Sequence, residues 1–166
     1  MKSEPDSRIV DGKDVKFSIT DLENAKEPEP WTGVRNYAAR NNMQAMKKGE
    51  LALFYHSNTK VPGVAGIMEI VEEATIDKTA FDPENPYYDP KSKREKPAWY
   101  CVSVTFRERF PRIISLHELR KHDTLSRMEL FSKARLSVSR VTAEEFHFIA
   151  SLKDMEDEVI DYFPQT

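Results

Sequence analysis

The sequence predicts an α+β domain whose short strands of mixed spacing curl into a small β-barrel flanked by helices. Three observations carry that expectation. The run Leu51-Ala-Leu-Phe-Tyr-His56 is apolar on both faces, as a central, fully covered strand requires. Trp99–Phe106 alternates, with Tyr100, Val102, Val104 and Phe106 on one side, as a half-buried strand does. Between and after these runs, Ser18-Ile-Thr-Asp21, Ser115-Leu-His-Glu118 and Thr142-Ala-Glu-Glu145 have the spacing of capping boxes, each opening a helix.

Taken in order, the first box starts a short helix through about Ala25. Glu27-Pro28-Glu29-Pro30 then excludes regular structure and delivers the chain, extended, to Trp31. A helix is expected from Val34 to Lys48, ended by Gly49. On it Val34, Tyr37, Ala38 and Ala45 share one apolar arc, and Asn41 falls in the same arc. A buried Asn41 would be a structural tie or a pocket group. After the Leu51–His56 strand and a turn at Pro62-Gly63, Val64–Val71 forms a second strand. Gly66 within it marks a bulge or a close backbone approach. Residues 77–98 contain Pro83, Pro86, Pro90 and Pro97 and form a long irregular loop. The Ser115 box opens a helix to about Lys121. Leu136–Val141 reads as a strand, and the Thr142 box opens a last helix bearing Phe146 and Ile149. The domain is expected over residues 1–152, followed by an acidic tail over 153–166.

Composition narrows the functional classes. With 166 residues, 39% of them hydrophobic and 32% charged, the chain suits one domain with one core. Uncharged stretches such as Leu51–Thr59 fall far short of the ~20 apolar residues of a membrane helix, so no membrane partner is expected. The start, Met1-Lys2-Ser3-Glu4-Pro5-Asp6, lacks the apolar segment of a signal peptide. A single cysteine, Cys101, excludes a disulfide framework and multi-cysteine metal sites, as expected of a reducing compartment. The five glycines form neither GxGxxG nor GxxxxGK[ST], so the standard phosphate-cradling loops are absent; no cofactor is expected, and with one cysteine and no histidine ligand spacing no metal either. Net charge is −3 but unevenly spread: −5 over residues 1–90, +8 over 91–140 and −6 over 141–166. The central block either forms a face for a polyanion or is a solvated surface paired with acids elsewhere.

Catalytic arrangements are thin. Cys101 sits within an alternating strand, where a cysteine is a small buried hydrophobe. His56, His117, His122 and His147 lie on separate elements without ligand spacing, and no serine has a GxSxG context. Glu4 and His56 remain as a possible acid and base. Binding is better supported. Aromatic residues stand beside polar and basic ones at Trp31 with Arg35-Asn36-Tyr37, at Tyr55 with His56-Ser57, and at Tyr87-Tyr88-Asp89 with Lys91. Rings stack on an unstacked base, amides and hydroxyls read its edge, and cations hold the phosphates. Tyr37 and Tyr55 are expected in the core. Trp31, reached through the proline-rich loop, is the expected partly exposed stacking platform.

Several segments together resemble the EVE domain, a member of the PUA-like superfamily. They are Lys2-Ser3-Glu4-Pro5, Trp31-Thr-Gly33-Val34-Arg35-Asn36-Tyr37, Ala39-Arg40-Asn41, Leu53-Phe54-Tyr55-His56-Ser57-Asn58 and Pro62-Gly63-Val64-Ala65-Gly66. Further on come Thr79-Ala80-Phe81-Asp82-Pro83, Pro86-Tyr87-Tyr88-Asp89-Pro90-Lys91-Ser92 and Arg135-Leu136-Ser137-Val138. The resemblance implies a PUA-like β-barrel with flanking helices and a pocket between them. It is similar to domains that read modified cytosines such as 5-hydroxymethylcytosine in DNA, and is related to the YTH readers of methylated adenine in RNA. Carried over by motif, the pocket comprises Lys2, Ser3, Glu4, Trp31, Arg35, Asn36, Asn41, Tyr55, His56 and Ser57, completed by Tyr88, Asp89, Lys91, Leu136 and Ser137. Phosphate contacts fall to Lys91, Lys93, Arg94 and Arg135.

The preferred expectation is therefore a non-catalytic, monomeric reader of nucleic acid carrying a modified base, nuclear or cytoplasmic in place. The alternatives are an enzyme or nuclease-associated subunit acting on modified nucleotides, a modified-RNA reader, and a protein-interaction module. The acidic tail, with Val159, Ile160, Tyr162 and Phe163 as apolar teeth, is either a competitor for the basic face or a simple helix extension.

Overall fold

A five-stranded mixed sheet organises the protein. It is seen in a computed structural model that describes residues 1–155. The strands are β1 (Lys2–Ser3), β4 (Glu29–Pro30), β5 (Leu51–His56), β6 (Gly63–Ile76) and β7 (Tyr100–Ser115), in the order β1-β5-β6-β7-β4. The parallel partner of β5 is β1, whereas β5–β6, β6–β7 and β7–β4 are antiparallel. No pairing joins β1 to β4, so the sheet is curled but open. The α+β class stands, while the closed barrel does not appear among these ladders. A separate hairpin, β2 (Ile9–Val10) with β3 (Lys13–Asp14), stands beside β1.

The helices are α1 (Ile19–Asn24), α2 (Tyr37–Gln44), α3 (Leu116–Leu119), α4 (Glu129–Ser132) and α5 (Ala143–Leu152). Two of the three expected capping boxes close fully, at Ser18/Asp21 and Thr142/Glu145. At the third, Ser115 caps Glu118 N, but the Glu118 carboxylate turns to Arg112 instead. Two apolar clusters cover the two faces of the sheet. Ile19, Leu22, Trp31, Ala39, Met43, Phe54, Met68 and Val102 lie on one face. Leu53, Tyr55, Ile67, Phe110, Ile114, Leu125 and Ile149 lie on the other. Residues 53–55 of β5 serve both clusters in alternation, which is why that run is apolar throughout.

Several elements depart from expectation for identifiable reasons. Strand β6 runs past Val71 to Ile76, and β7 runs past Phe106 to Ser115, because the two long strands extend each other along one ladder. Pro111 is tolerated inside β7. It falls in the register shift between the Gly66–Arg109 and Val64–Ile114 pairs, where a proline is accommodated as at other bulges. Leu136–Val141 is irregular rather than a strand. Its alternation reflects Leu136 and Val138 plugging into the core, with one backbone bond from Lys2 N to Ser137 O (2.8 Å). Helix α2 stops at Gln44 and buries Ala39 and Met43, so the expected arc is rotated. Ala38, Asn41 and Ala45 are exposed, and Tyr37 is 60% exposed instead of core. The arc assumed a helix starting at Val34. Asn36 caps a helix that starts three residues after Val34, at Tyr37, which leaves Val34 outside it and frees α2 to pack its Ala39–Met43 face on the sheet.

Gly66 is the close approach that its place in the strand indicated. The ladder shifts register between Val64 and Gly66, and a Cβ here would run into the Glu108 carbonyl oxygen while lying 3.1 Å from Ile19 Cδ1. Backbone on one side and core on the other leave no room to yield. Gly66→Ala is expected to cost about 2–3 kcal/mol, read as a lower urea midpoint at unchanged m-value.

Candidate nucleic-acid interface

A cleft of about 630 Å³ opens where the first residues of the chain, the 29–34 segment, the 85–87 loop and the 134–137 segment converge. Local bonds fix each wall. Ser3 Oγ–H donates to Phe17 O (2.7 Å), and Phe17 N–H donates to Glu4 O (2.9 Å), tying Lys2-Ser3-Glu4 to the chain after the hairpin. Lys2 Nζ donates to Ala134 O (2.7 Å), which draws the 134–137 segment against β1. Trp31 N–H donates to Val102 O (2.8 Å), continuing the β4–β7 pairing and turning the indole inward.

The far wall depends on Asp77. Its carboxylate accepts Gly33 N–H (2.9 Å), Arg35 Nη1–H (2.9 Å) and the Thr79 hydroxyl (2.6 Å). Arg35 reaches on with two further bonds to Tyr87 O (2.9 and 2.7 Å). The Tyr87 ring in turn lies on the bare face of Gly33, where any Cβ would sit 2.7 Å from the ring. Trp99 Nε1–H donates to Asp89 (2.7 Å), and Trp99 stacks on Tyr37 at 4.9 Å, with the Arg40 guanidinium over the tyrosine's ring. The proline-rich loop is therefore strapped down along its length.

The structure brings together only part of the expected site. Lys2, Ser3, Glu4, Trp31, Ser57, Arg135 and Ser137 line the cleft. Arg35 is spent on Asp77 and Tyr87 O, Asn36 caps α2, and Asn41 accepts from Arg40 on the exposed side of that helix. Tyr55 is buried below Lys2, and Leu136 is core. Tyr88, Asp89, Lys91 and Lys93 stand on the loop outside the cleft. Arg94 lies there too, over the Phe81 ring at 4.9 Å. Trp31 is 7% exposed and T-stacked on Phe17 and Phe54, so the expected partly exposed platform is instead a core residue showing one margin to the cleft.

The carried-over pocket left out Arg8, Lys13, Lys16, Phe17, Gly33, Pro86 and Tyr87, all in the cleft lining, although Tyr87 stood among the aromatic candidates. The Trp-Thr-Gly and Pro-Tyr-Tyr motifs contained the signal for Gly33 and Tyr87. For the cations the block arithmetic pointed elsewhere. Of the basic block only Arg135 lines the cleft, whereas Arg107, Arg109, Arg112 and Lys133 pair with Glu69, Glu23, Glu118 and Glu129.

Comparison with known proteins accounts for this architecture. The sequence profile of the EVE domain matches residues 1–152. The chain belongs to the EVE domain family. It is 50% identical over 163 residues to thymocyte nuclear protein 1 of Danio rerio, covering 93% of this chain and 71% of the relative. It is also 50% identical over 165 residues to thymocyte nuclear protein 1 of Homo sapiens, covering 94% and 73%. A crystal structure of the human THYN1 protein in complex with 5-methylcytosine containing DNA superposes with a TM-score of 0.90, covering 94% of this chain and 96% of that one.

The candidate acid, base and nucleophile each sit in a separate setting. His56 Nε2 accepts Ile19 N–H (3.1 Å), and burial, then Arg109, hold its pKa below the ordinary 6.5, so it is a neutral acceptor. The Glu4 carboxylate is taken by Arg8 (2.9 Å) and by Asn58 (3.3 Å). The possible acid–base pair is thus engaged separately, each group with its own partners. Burial pushes the Cys101 thiol up to about 11, the opposite of an activated nucleophile. Burial also lowers Lys2. Among the described residues no cluster of three or more metal-ligating side chains is present, and no helix is long and apolar enough to cross a membrane.

Two tests follow from these bonds. Burial raises the Asp77 pKa, but the bonds from Thr79, Gly33 and Arg35 outweigh it and hold the carboxyl below its ordinary 3.8. Asp77→Asn removes the charge facing the half-buried Arg35 and is expected to cost about 3 kcal/mol or more, with faster proteolysis within 78–98. Because the folded state resists protonation at His56, stability is fully present above about pH 6.5 and declines as pH falls through that value toward the depressed folded pKa. His56→Gln is expected to flatten that part of the profile in denaturation curves between about pH 7 and 5.

Proposed function

We propose that this protein is a non-catalytic reader of DNA carrying a modified cytosine, holding the extruded base in the EVE cleft. The observation that carries the reading is a cleft of base-accommodating size, about 630 Å³, with aromatic margins and cations at its rim. The Trp31 margin and the Tyr87 ring supply apolar surface. The hydroxyl oxygens of Ser3 and Ser57, whose hydrogens go to Phe17 O and Ser3 O, keep lone pairs that accept from the edge of the base, and the rim cations Lys2, Arg8, Lys13, Lys16 and Arg135 face the phosphates. Human THYN1, half identical to this chain, was crystallised with 5-methylcytosine containing DNA, which supports cytosine as the base. The relatives' name supports a nuclear place of action. The C5 substituent, methyl or hydroxymethyl, is selected inside the cleft, where an added hydroxyl needs a partner such as Ser3 or Ser57.

The test is a binding panel at fixed salt, with DNA and RNA strands bearing cytosine, 5-methylcytosine, 5-hydroxymethylcytosine or a methylated adenine at one position. Tighter binding to a cytosine-modified DNA strand than to its unmodified twin is expected, and equal affinity across the panel would remove the base-reading role. If four cleft cations meet phosphates, log affinity should fall with log salt at a slope of roughly −3 on single strands. Lys13→Ala should lower that slope by roughly 1 without altering base preference. Trp31→Ala, by contrast, is expected to lose about 3–5 kcal/mol of folding stability, seen as a large drop in Tm.

A further inference from the structure

The β2–β3 hairpin forms the Arg8–Lys16 side of the cleft and carries an unusual side chain. Ile9 is 64% exposed, the most exposed large apolar residue among the described residues. Its frame is rigid. Asp11 (φ 49°) and Gly12 (φ 76°) both take positive φ, as a tight two-residue turn requires. Behind the turn, the Asp14 carboxylate accepts the Ser7 hydroxyl (2.6 Å) and the N–H groups of Arg8 (3.2 Å) and Lys16 (3.0 Å). A two-stranded hairpin is marginal alone; this one is braced at its base and sewn to the cleft through Phe17 and Glu4. Arg8 and Lys13, on either side of the turn, both line the cleft.

An apolar side chain held in water opposite Asp14, on a braced hairpin whose Arg8, Lys13 and Lys16 line the cleft, matches the chemistry of a side chain that enters a base stack while nearby cations take the phosphates. Extruding a base from a duplex opens a gap in the stack, and something apolar must fill it or the base swings back. We propose that Ile9 is the wedge that enters the duplex when the modified cytosine leaves it. The substrate class is then double-stranded DNA rather than a single strand, in which no gap arises and Ile9 has no use. This inference rests on the base-reading role proposed above.

The experiment compares wild type and Ile9→Ala on duplex and on single-stranded DNA with one 5-methylcytosine, with 2-aminopurine beside it to report unstacking. So exposed a residue is replaceable without loss of fold, which thermal unfolding checks. The expected result is roughly a tenfold loss of duplex affinity for Ile9→Ala, single-strand affinity within about twofold, and loss of the 2-aminopurine fluorescence increase. Unchanged duplex affinity, or parallel losses on both substrates, would overturn the wedge while leaving base reading intact. Wild type that ignores the modification on both substrates would overturn base reading and the wedge with it.

Discussion

The buried Asp77 carboxylate is the tie on which the cleft depends. It is fully enclosed, and its four donors come from two stretches of chain that share no ladder: Gly33 N–H and Arg35 on one side, the N–H and hydroxyl of Thr79 on the other. A buried charge is tolerated only when paired and fully hydrogen-bonded, so these partners are held as a set. Arg35 passes the constraint on to Tyr87 O, and the Tyr87 ring closes over Gly33. A proline-rich loop with little regular structure of its own thereby becomes a fixed wall. Without Asp77, nothing in the backbone ladders would hold residues 85–87 opposite Lys2-Ser3-Glu4.

This arrangement explains why conspicuous polar residues stand outside the cleft. Arg35, Asn36 and Asp89 have the chemistry of base-reading groups, but each is committed to building the wall or capping a helix. The cleft is left with short polar side chains, three aromatic residues in Phe17, Trp31 and Tyr87, and rim cations. His56 follows the same logic. Its acceptor nitrogen caps the first N–H of α1, so the histidine orders the Ile19 backbone.

The elements legible in the sequence were those whose signals are local. The boxes at Ser18 and Thr142 formed as their spacing indicated, because a capping bond joins residues three apart. The doubly apolar β5 and the tight spot at Gly66 were legible too, since burial on both faces and the want of a Cβ are written in single residues. The family motifs named about half of the cleft lining, including Lys2, Ser3, Trp31 and Ser137. Misreadings came where local pattern was ambiguous. Alternating Leu136 and Val138 looked like a strand but only plug a core, and the Trp31 approach looked exposed until β4 found an edge of β7.

By itself, then, the sequence determined the α+β class, the starts of α1, α3 and α5, the central strand and the family, because capping, periodicity and motif spacing are properties of neighbouring residues. Only the tertiary structure decided which face of α2 is buried, that the sheet stays open, and which cations meet at the cleft. A stretch of net charge −5 supplies Arg8, Lys13 and Lys16 to the rim, while much of the +8 block is paired with acids from distant elements. Charge counted along a chain adds up whatever lies between two residues in sequence. The field at a cleft depends on distance in space, and that is set by folding.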